Sequence, residues 1–270
     1  MSALKASDTN GGGSAAKSLD PRLREALGEL LLTLADDEFV LGYWDSEWTG
    51  IAPLLEEDVA MSSLAQDEIG HARAYYGLLA ELRDGDPDAI AYDRSPERFR
   101  HSRLLDHART DWAFTMARRY LYDTAYAVRL AALANSGYSP LADLVAKIRR
   151  EEAYHLAHAD GWLRRLAVAE GEGRARLEGA LATLSPDAAT VFTPLGGEAA
   201  LVKAGILPGS MAELERRWRD AIRPTFATLG LEMPGPAADP ARGRRDHGEA
   251  FRWLWGEFTA VRRLDPVATW

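Results

Sequence analysis

Two short spacings in this chain carry chemistry. Glu68-Ile69-Gly70-His71 and Glu152-Ala153-Tyr154-His155 each place a carboxylate and an imidazole three residues apart. On a helix that is one turn, so both side chains point the same way and can grip one metal ion together. Chance placement of 20 glutamates and six histidines in 270 residues yields about 0.4 such pairs, and this chain has two. Two further carboxylates fall on apolar stripes: Glu38 between Leu34 and Leu41, and Asp123 between Tyr120 and Ala127. Asp123 is the shortest of them, by one methylene. Together Glu38, Glu68, His71, Asp123, Glu152 and His155 form a ligand set suited to two iron or two manganese ions. The same residues also suit a buried hydrogen-bonded network without metal, with Tyr75, Tyr120 or Tyr154 as donors. Asp36, Asp37 and Glu151 are neighbouring carboxylates that can replace Glu38 or Glu152, and Glu151 reaches the face of His155 from four residues upstream.

Four long helices must position these groups. Asp20-Pro21 reads as an N-cap with proline at the first helical position, and Leu27, Leu31, Leu34, Leu41 and Trp48 recur at helical steps. Gly50 and Pro53 end that run. A second helix is predicted over 54–83, a third over 103–134 and a fourth over 139–168, with Asn135-Ser136-Gly137 between the last two. The polar stretch 84–100 is long for a loop. Hairpin, long crossover, hairpin is the connectivity of a ferritin-like four-helix bundle, an all-α fold. No repeat of solenoid period is present. Hairpin symmetry supports the ligand set: residues 38 and 68 are equidistant from Pro53, and residues 123 and 152 from the Gly137–Tyr138 turn.

Beyond residue 170 the sequence predicts helices over 172–184, 210–229 and 248–264, packed on the bundle, with Pro234 to Arg245 as a mobile linker. Residues 1–19 read as a flexible Gly/Ser-containing tail, and residues 20–270 as one helical domain.

Composition narrows the function. The chain has no cysteine, which excludes disulfides, thiolate metal sites and a cysteine nucleophile. Net charge is −9, and the pI near 5.3 argues against nucleic acid and anionic membrane surfaces as partners. No apolar stretch is long enough for a membrane span. Met1 to Lys17 lacks an apolar h-region, so a cytoplasmic protein is expected.

Lesser candidates read as ordinary surface. His101, His107 and His247 fall at element ends or linkers, and His158 is either solvated or a neighbour of His155. The pairs Arg118-Arg119, Arg149-Arg150, Arg164-Arg165 and Arg216-Arg217 read as solubilising charge, with phosphates of a ligand such as coenzyme A as the alternative. Asp45, Glu47 and Trp48 form a polar–aromatic turn with a structural or interface role.

Several stretches resemble a known family. Asp37-Glu38-Phe39-Val40-Leu41-Gly42, Glu47-Trp48-Thr49-Gly50 with Pro53, Ala65 to Arg73, Ala117 to Asp123, Glu151 to Leu156, Gly161-Trp162-Leu163, Asp246-His247-Gly248 and Trp270 are similar to the C subunits of phenylacetyl-CoA ring 1,2-epoxidases. The resemblance spans roughly residues 22–270. It implies a ferritin-like member of a multicomponent bacterial oxygenase that epoxidises the ring of phenylacetyl-CoA with O₂. Electrons come from a flavin/iron–sulfur reductase. It further implies that the di-iron chemistry belongs to a homologous A subunit, with the C subunit as its structural partner. The resemblance also implies loss of metal ligands among members of the C type, whereas both Glu-x-x-His pairs are intact here, which leaves a di-iron enzyme in its own right as the competing expectation.

Overall fold

The computed structural model describes residues 19–265. The expected tail up to residue 18 and the closing Trp270 lie outside the described residues. Asp20 starts helix α1 (Pro21–Ser46): its carboxylate accepts from the backbone N–H of Arg22 and Leu23, and Pro21 occupies the first turn. Gly50 then adopts a left-handed φ of 85° and donates its N–H to Asp58, which turns the chain into α2 (Leu55–Arg83). These helices form the first hairpin. Gly42 makes the approach possible, since a Cβ there would lie 3.0 Å from the Glu68 Cβ and 2.9 Å from Ile69. The second hairpin pairs α4 (Trp112–Leu133) with α5 (Ser139–Ala167).

The crossover between hairpins holds the short helix α3 (Pro87–Tyr92) and two 3₁₀ turns, Pro96–Arg98 and Arg103–Leu105. The third long helix therefore starts nine residues later than its apolar pattern predicts. Asp111 caps it by accepting from the Phe114 N–H at 2.8 Å, and residues 103–105 are diverted into the crossover. All elements among the described residues are helical. The ferritin-like arrangement of two hairpins and a crossover is thus observed.

Helix α1 is buried almost all round, not only along one stripe. Two adjacent carboxylates on it hold the crossover down. Asp36 accepts from the Tyr76 hydroxyl at 2.5 Å, from the Arg94 guanidinium and from the Arg100 N–H at 2.6 Å. Asp37 accepts from the Ser102 N–H at 2.7 Å, from Arg129 at 2.8 Å and from Arg244 at 2.9 Å. Such buried charges persist only when fully paired. Arg244 lies in the segment that the sequence reads as a mobile linker, yet it is 3% exposed. Its ion pair with Asp37 and its bonds to the Arg100 and Val191 carbonyls dock that segment on α1.

The remaining helices are α6 (Glu172–Ala188), α7 (Glu198–Lys203), α8 (Met211–Leu229, with a Ser210–Glu213 capping box) and α9 (Glu249–Leu264). Helix α6 covers α4 and α5, α8 lies on α4, and α9 on α1 and α3.

Candidate metal centre

The four long helices bring their chemistry-bearing residues to one level. His71 Nδ1 lies 3.0 Å from Glu38 Oε2 and 3.3 Å from Glu152 Oε1. Ligand atoms of Glu38, Glu68, His71 and Glu152 all fall within 4.8 Å of one another, and all four residues are buried. His155 adjoins them, its Nδ1 3.2 Å from Glu152 Oε1 and 3.3 Å from Glu68 Oε1. Asp123 is also buried, but its nearest charge is not a ligand partner. Arg119, one turn upstream on α4, donates to Asp123 Oδ2 at 3.3 Å and to Glu68 Oε1 at 3.0 Å, and its other arm pairs with Asp45. Asp36 and Asp37 are committed to the crossover and take no part.

Electrostatics follow from this crowding. Burial and the nearby Glu68 and Glu152 push Glu38 well above the usual carboxylate range. Burial acts the same way on Glu68, but Arg119 and His155 outweigh it and hold that carboxyl far below its ordinary value. Burial disfavours the charged form of His71, yet hydrogen bonds to Glu152 and Glu38 push it up to about 12. Burial, against the pull of Arg119, and then Glu152 and Glu68 raise Asp123 to about 8. A fully buried Tyr122 donates to Glu38 Oε1 at 2.6 Å.

Do these residues fit metal? Glu68 Oε2 is buried without a hydrogen-bond partner, Glu152 Oε1 faces the Nδ1 atoms of both His71 and His155, and His71 offers Nδ1 while its Nε2 meets Glu151 at 2.7 Å. An imidazole ligand with a carboxylate behind it is the usual outer support of a metal-bound histidine. Glu38, Glu68, His71 and Glu152 therefore fit one ion. The half of the cluster next to Asp123 and His155 does not fit a second, because the Arg119 guanidinium already stands between Asp123 and Glu68 as the countercharge.

A family profile described as "Phenylacetic acid catabolic protein" matches residues 12–270. The chain belongs to the phenylacetic acid catabolic protein family. The C subunit of 1,2-phenylacetyl-CoA epoxidase from Escherichia coli (strain K12) is 29% identical over 241 residues, which is 88% of this chain and 97% of that one. The A subunit of the epoxidase from the same organism is 26% identical over 225 residues, 80% of this chain and 71% of that one.

In this family member the structure also corrects several readings of single residues. Arg118 and Arg119 are fully buried rather than solvated, while Arg149-Arg150, Arg164-Arg165 and Arg216-Arg217 are exposed as expected. The spacing of Arg119 to Asp123, four residues on the apolar stripe, was the available signal for its role. The tyrosine in the network is Tyr122. Tyr75 instead bonds Tyr126 at 2.9 Å, Tyr120 packs against Phe226, and Tyr154 is exposed. His101 and His247 are buried, and His107 bonds Asp187 at 2.9 Å. His158 is tied to Glu57 at 2.7 Å, not solvated. Asp45 is the buried partner of Arg119, and Trp48 Nε1 donates to Thr115 at 3.1 Å.

Proposed function

We propose that this chain is the structural C-type component of a multicomponent phenylacetyl-CoA 1,2-epoxidase in phenylacetate catabolism, paired with a catalytic di-iron A subunit. The observation that carries the reading is Arg119, a buried guanidinium bonded to Glu68 and Asp123 where a second metal ion would sit. The match to the Escherichia coli C subunit, which runs over nearly the whole of that protein, supports it. So does an apolar patch at the end of the first hairpin, where Ile51, Leu54, Leu55 and Val59 all face solvent. That patch suits contact with the A subunit, while phenylacetyl-CoA is the ligand of the assembled complex. No helix among the described residues is long and apolar enough to cross a membrane. A cytoplasmic setting belongs to the same proposal.

In this role the centre works as an internal clamp. Tyr122 and His71 hold Glu38, His71 also meets Glu152, and Arg119 links Asp45, Glu68 and Asp123, so all four long helices are joined by polar and charged contacts in a buried interior. Co-expression with an A subunit tests the proposal: the two chains are expected to co-purify, and independent migration would overturn it.

The competing reading is a di-iron or di-manganese centre on Glu38, Glu68, His71, Asp123, Glu152 and His155. Such a centre would supply oxygen-activating redox chemistry. The unpartnered Glu68 Oε2 favours it, and it requires the Arg119 side chain to leave. Two equivalents of iron per purified chain, lost on Glu68→Ala and His71→Ala, would establish it. No bound metal after anaerobic iron loading would end it.

A further inference from the structure

We propose that His101, Asp106 and His247 form a separate metal site for one divalent cation of borderline softness, with Zn²⁺ as the probe. His101 and Asp106 lie in the crossover, and His247 precedes Gly248, the N-cap of α9. Ligand atoms of the three residues lie within 4.8 Å of one another. Both imidazoles address the same oxygen: His101 Nε2 is 2.6 Å and His247 Nδ1 3.1 Å from Asp106 Oδ1. The rings stack in parallel, 4.0 Å apart and tilted by 14°. Donor atoms that share a zinc ion at about 2.0–2.2 Å sit about 3–3.5 Å apart. The His247 contact already has that spacing, and the His101 contact reaches it by opening about half an ångström.

The outer partners are those of a ligand set. His247 Nε2 faces the Phe99 carbonyl at 3.1 Å, and Asp106 Oδ2 accepts the Gly248 N–H at 3.1 Å. A carbonyl only accepts, so Nε2 must carry a proton. Nδ1 is turned the other way, toward the Asp106 carboxylate and His101. A metal ion on Nδ1 would leave Nε2–H on the carbonyl, the usual support for a ligating histidine. Two imidazoles and one carboxylate match zinc or ferrous iron better than magnesium or calcium. The ion would tie the start of α9 to the crossover.

The test uses the full chain, stripped with a chelator and then loaded with Zn²⁺ alone. A Glu68→Gln/His71→Gln variant, which lacks ligands of the bundle centre, is expected to keep one equivalent of zinc and to melt at higher temperature with it. Asp106→Asn and His247→Gln, each built on that variant, are expected to weaken zinc binding at least tenfold. X-ray absorption on the folded Glu68→Gln/His71→Gln variant needs no further substitution and should show two imidazoles on zinc. Absence of zinc from that variant, retention of zinc after both ligand substitutions, or a zinc shell without two imidazoles would each overturn the site.

Discussion

Arg119 donates to Glu68 across the bundle at 3.0 Å, and both side chains are wholly buried. That bond reaches from α4 to α2, and the same guanidinium reaches Asp45 on α1 and Asp123 on its own helix. One fixed, five-donor cation thereby compensates three buried carboxylates, a task that falls to metal ions in ferritin-like di-metal proteins.

Replacing Arg119 by leucine should therefore leave uncompensated charge in the core. We expect a loss of about 3–5 kcal/mol in urea unfolding. Manganese should raise the melting temperature of the variant more than that of the parent chain, since a dication then finds the vacated carboxylates. An equal manganese response in both proteins would contradict the role assigned to Arg119.

Asp37 sets an acid limit on stability. Burial alone would raise its pKa, but Arg244 and Arg129, with the Ser102 N–H, hold it below the ordinary 3.8. The unfolded chain thus binds the proton more readily than the folded one. Stability from this group is fully present above roughly pH 4 and is lost as pH falls through the lower folded value. Asp37→Asn should cost about 3–5 kcal/mol at neutral pH and flatten the acid slope of the urea midpoint. An unchanged slope would remove Asp37 from the account.

Tyr122→Phe deletes one hydroxyl, which donates to Glu38 at 2.6 Å. Burial disfavours the charged form of Glu38, so the bond ranks with ordinary ones, worth about 0.5–1.5 kcal/mol, and chemical denaturation should show a loss of that order. No loss would mean that Glu38 finds another donor.

Leu55→Glu probes the apolar patch. Leu55 is 78% exposed, so the isolated chain should keep its stability to within about 0.5 kcal/mol. Association with the A subunit should weaken roughly tenfold or more, about 1.4 kcal/mol. Undiminished co-purification would place the interface elsewhere.

Glu38, Glu68, His71 and Glu152 were legible from the sequence because helix periodicity and hairpin symmetry are local rules. A turn at residue 53 sets the height of 38 against 68, whatever else the chain does. The four-helix arrangement followed from the same rules and from the length of the crossover. Arg119, Arg244, His101 and His247 were not legible. Each sits in a pattern that normally means a solvated charge, and each is buried because a distant segment covers it. Arg244 meets Asp37 from 207 positions away, and His247 meets Asp106 from 141.

The sequence by itself determined that carboxylates and imidazoles, without any thiolate, converge at one level of a helical bundle. Only the tertiary structure decided what answers their charge. Burial makes an unpaired charge too costly to keep, and the partner that satisfies it is chosen by proximity in space, here a guanidinium whose i, i+4 spacing to Asp123 is shared by exposed pairs such as Asp160 and Arg164.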